Sequence, residues 1–331
     1  MQFDVEFDSG AFYPAAGAVE LAEIAEDRGF GAVWKGESNS TDPMVLLSAM
    51  ASRTKRIQLG TAIYHVFGRS PVTMGIQAAT FNDLSDGRLI LGLGVANKNI
   101  AGWHNQRFDR PLRAIREYSE IVRQVASGEA VDYQGELYTT GKFKLSWRPK
   151  QPDVTIMFAG LGEKMTHLAG RMSEGIVVNL ANPAKVREIV KNVREGAEQA
   201  GRDPSKLEFV IKVRACINKD RDVAKNKLKQ VLTFYNLADH YKDMVVDMGF
   251  AEDNRKIQEA YKQGGFKAAQ AAVSDTLLEN LPTIAATSVE EVMDRVQPWI
   301  EAGATRLLLP TVPVTDDTIG ETKEFLRLWK L

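Results

Sequence analysis

Short apolar runs alternate with helical patterns along the first part of the chain. Residues 2–7 (QFDVEF) alternate apolar and polar positions, which predicts a strand. Small apolar residues then recur at helical spacing from Ala18 to Ala25, and Gly29 is suited to ending that helix. The same succession of strand and helix continues to residue 93, and it is typical of a parallel α/β architecture.

Eight segments are predicted to be strands, and several of them are the nearly continuous apolar runs of strands buried on both faces. They are 2–7, 31–35, 56–63, 88–93, 154–159, 175–179, 207–214 and 305–309. Helices are predicted between the early strands, at about 44–52 and 71–84. Eight is the strand number of a closed (β/α)8 barrel, the fold that we predict, whereas pattern alone leaves an open doubly wound sheet as the alternative.

Two long segments interrupt this succession. Residues 108–150 contain a predicted helix followed by a hairpin around 131–145. Residues 219–287 are rich in Lys, Gln and Ala with little strand signal, and we interpret them as a helical insertion. A capping box at Ser288-Val289-Glu290-Glu291 opens the helix that we take as the last of the barrel. Since no linker divides the chain, residues 1–331 are predicted to form a single domain.

Composition narrows the class of protein. Hydrophobic residues make up 44% and charged residues 26%, and the net charge of −1 gives no reason to expect nucleic acid or an anionic membrane as a partner. The single cysteine, Cys216, excludes an intramolecular disulfide. No signal peptide and no apolar run of about 18 residues is present, so we expect a cytoplasmic protein. The four histidines form no metal-binding motif, and no metal is expected.

Function in a barrel lies at the carboxyl ends of the strands. Glu6 ends the first strand, where burial would favour an acid/base role; alternatively it points outward or pairs with a basic neighbour. Glu37 and Ser38 follow the second strand and either line a pocket or cap the next helix. His65 and Arg69 follow the third; Arg69 could bind an anionic cofactor, whereas a lone histidine is more often structural.

Glycines follow the next two strands. Gly92 and Gly94, with Asn97 beyond them, would let backbone approach a planar ring closely, or they serve tight packing. The loop after the fifth predicted strand is the better phosphate site, because two glycines open a helix whose free amides favour an anion; an ordinary glycine turn is the alternative. Its residues are Ala159, Gly160, Leu161, Gly162, Glu163, Lys164 and Met165.

Taken in order, these segments resemble the bacterial-luciferase-like superfamily, and especially its branch that depends on coenzyme F420. The similarity lies in LAEIAEDRGFGAVWKGES, in RIQLGTAI through GRSP to DLSDGRLILGLG, in IMFAGLGEKMTHLAGRMSEGIVVN, and in TSVEEV with EAGATRLLLP. Among members the chain is most similar to methylenetetrahydromethanopterin reductases, through the opening FDVEF and the GRSP motif.

The resemblance implies a homodimeric barrel with the cofactor at its mouth and the cofactor phosphate on the Gly160–Met165 loop. It implies a non-proline cis peptide at Ala62-Ile63 behind the deazaflavin ring, and an acid at Glu6 near the substrate. The chain departs from the pattern at Glu37-Ser38, where many F420 enzymes have Asp-His, and at His65-Val66, where the reductases have Asn and Pro. These departures concern the substrate side of the pocket.

Three functions remain open at this point. The first is hydride transfer between reduced F420 and an organic substrate such as methylenetetrahydromethanopterin, with Glu6, Glu37 or His65 orienting or protonating the substrate. The second is an FMN-dependent monooxygenase of the same fold, using flavin reduced by NAD(P)H together with oxygen. The third is a non-catalytic, cofactor-binding or structural relative.

Overall fold

A computed structural model of the chain describes residues 1–7 and 12–331, apart from the side chains of residues 239 and 240. Its strands lie within two residues of the predicted ends at all eight predicted positions, and three short ones are added. In chain order they are β1 (Gln2–Glu6), β2 (Ala32–Lys35), β3 (Gln58–Thr61), β4 (Tyr64–His65), β5 (Leu89–Gly94), β6 (Thr155–Ala159), β7 (Gly175–Val178), β8 (Glu208–Lys212), β9 (Arg214–Ile217), β10 (Thr283–Ala286) and β11 (Arg306–Pro310).

Eight of these strands close into a parallel barrel. The strand order runs β3-β2-β1-β11-β8-β7-β6-β5, and β3 also pairs with β5, which closes the ring. The first and last strands of the barrel are paired in parallel from Gln2 opposite Arg306 to Glu6 opposite Pro310. The closed (β/α)8 barrel is therefore confirmed over the open sheet, and the α/β class with it.

Helices connect the strands and cover the outside of the barrel. They are α1 (Ala15–Asp27), α2 (Pro43–Arg53), α3 (Pro71–Leu84), α4 (Lys98–Trp103), α5 (Pro111–Ala126), α6 (Glu163–Met172), α7 (Pro183–Gln199), α8 (Arg221–Leu237), α9 (Asp239–Val245), α10 (Ala251–Ala271), α11 (Asp275–Asn280), α12 (Val289–Arg295), α13 (Gln297–Glu301) and α14 (Thr318–Leu328). In the part of the chain that the structure describes, no helix is long and apolar enough to cross a membrane.

The apolar core has separate inner and outer layers. The largest cluster lies between the sheet and its helices and contains Phe3 and Val5 of β1. A smaller cluster contains one or two residues from each of seven of the strands or their ends, and it fills the barrel interior: Ala32, Trp34, Ala62, Ile90, Met157, Val177, Val210 and Leu308. Because successive residues of a strand point to opposite faces, Asp4 and Glu6 of β1 both point inward.

Two of the sequence expectations about strands were wrong. Residues 207–214 were predicted as one strand, but β8 ends at Lys212 and β9 begins at Arg214 in a second sheet. The predicted insertion at 219–287 does contain helices α8 to α11, but β10 lies at its end and pairs in parallel with β9. The segment TIAA is short and rich in alanine, so its strand conformation depends on the pairing with β9 rather than on its own propensity.

The expectation about the last helix was also wrong. Ser288 does cap α12, since its side chain accepts the Glu291 amide at 3.3 Å, but strand β11 and helix α14 follow. Helix α14 was missed because two of its three buried positions are threonines, Thr318 and Thr322, which weakens the apolar period. The predicted hairpin is present as the antiparallel bridges Val131–Phe143 and Gln134–Thr139.

An ion pair fills the amino end of the barrel interior. Arg306 donates to both carboxylate oxygens of Asp4, at 2.8 Å from Nε and 3.1 Å from Nη2, and Trp34 Nε1 donates to Asp4 Oδ2 at 2.9 Å. Arg306 Nη1 also donates to Gln58 Oε1 at 2.7 Å. Burial raises the pKa of Asp4, and the guanidinium beside it acts in the opposite direction. Inside the barrel, the charges of Asp4 and Arg306 therefore stabilise each other.

Replacing Arg306 by Met should lower the free energy of unfolding by about 3–5 kcal/mol, because Asp4 would lose its buried counter-ion. The control is Lys323→Met, which removes only the surface pair with Glu20 and should cost less than about 1 kcal/mol. Urea unfolding followed by circular dichroism measures both. Equal losses in the two variants would show that the Asp4–Arg306 pair is not a structural requirement.

Candidate active site

A cavity of about 880 Å³ opens at the mouth of the barrel, where the carboxyl ends of the strands meet. Its walls come from the loop after β2, from helix α8 and from the loop after β11, and part of the 219–287 segment therefore covers one side of it. The lining residues are Phe12, Ser38, Asn39, Ser40, Thr41, Lys227, Gln230, Val231, Phe234, Tyr235, Phe266, Val312 and Pro313. This volume is large enough for a small-molecule ligand.

Glu6 lies at the mouth end of the barrel interior, where it is paired with a buried lysine. Lys212 Nζ donates to Glu6 Oε1 at 2.8 Å, and both side chains are more than nine-tenths buried. Glu6 therefore does not point outward, and the alternative that it pairs with a basic residue is observed. The second carboxylate oxygen, Oε2, makes no hydrogen bond to the residues that the structure describes. Glu6 itself is not among the residues that line the cavity.

The peptide bond between Ala62 and Ile63 is cis, as the resemblance implied. Hydrogen bonds from three sides hold it. Ala62 N donates to Lys35 O at 3.0 Å, Glu37 N donates to Ile63 O at 3.0 Å, and Lys212 Nζ donates to Ala62 O at 3.1 Å. The ammonium of Lys212 therefore connects the acid on β1 to the backbone that follows β3.

Gly92 and Gly94 lie directly beside this bulge in the backbone. A Cβ at Gly92 would come within 1.9 Å of Thr61 O, and one at Gly94 within 2.7 Å of Ile63 Cδ1. The space next to both glycines is occupied by the protein's own chain, which supports the packing alternative over direct contact with a ring. Asn97 caps helix α4, since its Oδ1 accepts from the Asn99 and Ile100 amides at 3.0 and 3.1 Å.

Glu37, His65 and Arg69 form one largely buried cluster outside the lining of this cavity, although Arg69 also lines a second cavity of about 630 Å³. Arg69 Nη2 donates to Glu37 Oε1 at 2.5 Å and stacks on the Tyr64 ring at 4.2 Å. The backbone amide of His65 donates to Glu37 Oε2 at 3.0 Å. Both carboxylate oxygens of Glu37 are thus engaged within the protein, and Arg69 is engaged by Glu37. This arrangement supports a structural role for the three residues more than the catalytic and anion-binding roles considered for them.

The electrostatics of the cluster keep His65 neutral at pH 7. Burial, and then the neighbouring His104 and Arg69, lower the pKa of His65 to about 4. His65 Nε2 lies 3.0 Å from Glu37 Oε2, yet neither ring nitrogen makes a hydrogen bond within the described part of the chain. We therefore treat that contact as a packing distance rather than an ion pair. Burial also raises the pKa of Glu37, against the effects of the His65 amide and Arg69.

The loop between β6 and α6 has the features of an anion site. Gly162 is the N-cap of α6 and offers no side chain to the helix, so the first amides of the helix, those of Glu163 and Lys164, have no partner within it. The Gly162 carbonyl accepts from Met165 N and Thr166 N, both at 3.0 Å, which fixes the loop. Gly160 packs against the buried Met165 side chain. Ala159 and Leu161 are half-buried on either side of Gly160.

Two buried cations at the mouth were missed by the sequence reasoning. Lys212 and Arg214 are alternate residues of what was predicted as a single strand, and both are more than nine-tenths buried. Arg214 Nη1 donates to Asn179 Oδ1 at 2.9 Å and Nη2 donates to the Tyr235 hydroxyl at 2.5 Å. Two basic residues two positions apart in an otherwise apolar run were the signal that could have identified them.

With this geometry established, the chain can be compared with known proteins. Residues 3–306 match the family described as luciferase-like monooxygenase, and the chain belongs to that family. Its fold is shared by solved structures that match over nearly the whole chain.

Methylenetetrahydromethanopterin reductases and proteins described as F420-dependent are among those similar to this chain. The 5,10-methylenetetrahydromethanopterin reductase of Archaeoglobus fulgidus is 27% identical, over 93% of this chain and 92% of that protein. The structure of the coenzyme F420-dependent tetrahydromethanopterin reductase of Methanopyrus kandleri matches with a TM-score of 0.86 at 25% identity, over 99% and 98% of the two chains. An F420-dependent secondary alcohol dehydrogenase shares the fold with a TM-score of 0.76 at 21% identity, over 99% and 98%. The chain thus belongs to an oxidoreductase family with F420-dependent members.

Replacing Lys212 by Met should lower the free energy of unfolding by about 3–5 kcal/mol at pH 7, because Glu6 would be left buried without a cation. The double variant Glu6→Gln/Lys212→Met should lose clearly less than the sum of the two single losses. Chemical denaturation of the four proteins measures this coupling. Lys191→Met, which affects only an exposed pair, is the control. Additive losses would mean that Glu6 and Lys212 do not interact.

Proposed function

We propose that the chain is an F420-dependent oxidoreductase that transfers a hydride between the reduced cofactor and an organic substrate at the barrel mouth. The observation that carries this proposal is the pairing of two features at the same end of the barrel. One is the uncapped amino end of α6, suited to a phosphate, and the other is the Glu6–Lys212 pair with a carboxylate oxygen left free. The similarity to F420-dependent reductases over nearly the whole chain supports the same conclusion.

The donors at the mouth fit such a cofactor. The Glu163 and Lys164 amides would hold its phosphate, and the half-buried Ile63 would support its ring. Thr41 Oγ1 belongs to the cavity lining and is buried without a hydrogen-bond partner among the described residues, so a polar atom of the cofactor would satisfy it. When bound, F420 supplies two-electron hydride chemistry, since it lacks the N5 of a flavin.

The protein would contribute position and charge to the reaction. Lys212 holds Glu6 Oε1 and so fixes the carboxylate with Oε2 available to the mouth, where it can orient the substrate or exchange a proton with it. The cavity walls, largely apolar, would limit water around the reacting atoms. Glu6 is therefore the residue that we propose as catalytic, and Lys212 is the residue that positions it.

The first substrate to test is methylenetetrahydromethanopterin, on which the similar reductases act according to their names. Glu37-Ser38 departs from the pattern of many F420 enzymes and His65-Val66 from that of the reductases. These residues lie in or beside the cluster of Glu37, His65 and Arg69, except for Ser38, which is exposed at the cavity. Ser38 is thus the departure positioned to contact a substrate.

The alternative is an FMN-dependent monooxygenase, which the description of the family itself favours. FMN also carries a phosphate that the α6 loop would accept, so geometry at that loop does not separate the two cofactors. A non-catalytic relative is less well supported, because the mouth is open to a cavity of about 880 Å³.

Titration of the purified protein should show F420 binding at least about tenfold tighter than FMN, measured by quenching of cofactor fluorescence. Glu6→Gln should lower kcat by about a hundredfold or more while leaving the Kd of F420 unchanged, because Glu6 acts on the substrate side. The matched control is Glu23→Gln, which affects only a surface pair with Arg53.

Tighter binding of FMN, with NAD(P)H-dependent oxygen consumption, would replace this proposal by the monooxygenase. No binding of either cofactor would support the non-catalytic alternative. Turnover of methylenetetrahydromethanopterin by the F420-loaded protein would identify the substrate, and its absence would leave the cofactor assignment intact.

A further inference from the structure

Arg214 is a buried guanidinium without a carboxylate. Its side chain is almost completely buried, and its partners among the described residues are neutral: Asn179 Oδ1, the Tyr235 hydroxyl and the Tyr235 ring, whose centroid lies 4.8 Å away. No acidic side chain of the described residues forms an ion pair with it, and its Nε–H has no hydrogen-bond partner among them. A buried charge in this state is unfavourable unless an anion completes the site.

The neighbouring charges do not supply that anion. Glu6 forms its ion pair with Lys212, two residues earlier, at 2.8 Å, and it forms none with Arg214 in the described part of the chain. The third residue around the guanidinium, Tyr241, contributes a neutral phenol, and burial raises its pKa further above the usual range. The mouth therefore carries an excess positive charge on Arg214.

Tyr235 connects this charge to the cavity. Its hydroxyl oxygen accepts from Arg214, so its own proton is directed elsewhere, and no acceptor for that proton is found in the described part of the chain. Tyr235 also lines the cavity, whose described lining contains no carboxylate and one cation, Lys227. The Tyr235 O–H is therefore an unused donor at the cavity wall, and its oxygen is bonded to the buried guanidinium of Arg214. Together with Lys227 in the same lining, this is the chemistry that binds an anionic group.

The remaining walls are suited to a flat apolar body. Phe12, Phe234 and Phe266 line the same cavity from three separate segments, and their exposed fractions are 65%, 63% and 38%. Phenylalanines exposed together in a concave site bury their rings when an aromatic ligand enters. Helix α8 carries Phe234 directly before Tyr235, so the apolar wall and the polar donor are adjacent.

We propose that the mouth cavity binds an aromatic carboxylate as its substrate, with the ring system between the phenylalanines and the carboxylate on Tyr235 and Arg214. The reaction of the bound carboxylate rests on the proposed function. Its binding site rests only on the residues of this protein. It assigns Arg214 and Tyr235 to substrate recognition, separate from Glu6 and from the α6 loop.

The test compares 2-naphthoate with 2-naphthamide, which have the same shape and differ in charge. Calorimetry on the ligand-free protein should show naphthoate binding at least about tenfold tighter than naphthamide. Arg214→Met and Tyr235→Phe should each remove most of that preference and leave the weaker affinity for naphthamide unchanged. Tyr235→Phe keeps the ring and removes only the hydroxyl, so it tests the site even if Arg214→Met does not fold. The control is Arg194→Met, which affects only the contact with Phe209 outside the barrel mouth.

Equal binding of the two naphthalenes by the unaltered protein would overturn the proposal, and so would a preference that survives both substitutions. The outcome is independent of the cofactor assignment. Naphthoate recognition without F420 binding would leave this site standing and contradict the proposed function. F420 binding without naphthoate recognition would support the proposed function and overturn the site for an aromatic carboxylate.

Discussion

The first strand of the barrel places two carboxylates, Asp4 and Glu6, inside a closed sheet where neither can reach bulk water freely. Each therefore requires a cation from another strand, and each has one: Arg306 from β11 for Asp4 and Lys212 from β8 for Glu6. The strands that supply the cations are neighbours in the barrel, so the two ion pairs join the first strand to β11 and β8.

The two ion pairs differ in how many hydrogen bonds the carboxylate accepts. We assign the more fully bonded pair to stability and the other to function. Both oxygens of Asp4 accept from Arg306, and Trp34 adds a further donor, which leaves that end of the barrel filled. Glu6 shares only Oε1 with Lys212, and the same ammonium reaches the Ala62 carbonyl. We propose that this carboxylate, which Lys212 holds through one oxygen, acts at the mouth, where active sites lie in this fold.

Much of the architecture could be predicted from the sequence because buried parallel strands have a strong apolar signal. The eight barrel strands were found within two residues of their ends, whereas β10 and α14 were missed because their buried positions are small or polar. The Ala62–Ile63 cis bond was inferred only from family resemblance.

Local patterns could not show that Glu37, His65 and Arg69 bind one another, because their contacts join segments that are distant along the chain. Lys212 and Arg214 were missed for a related reason: alternation alone does not say which face of a strand is lined by counter-ions.

The central claim is that cofactor and substrate meet at the mouth between the α6 loop and the Glu6–Lys212 pair. A crystal structure of the protein with bound F420 tests it most directly. We expect the phosphate on the Glu163 and Lys164 amides, the deazaflavin ring against Ile63, and Glu6 Oε2 facing the space beside the ring. A phosphate bound elsewhere, or a ring that leaves Glu6 out of reach of the substrate space, would contradict the claim.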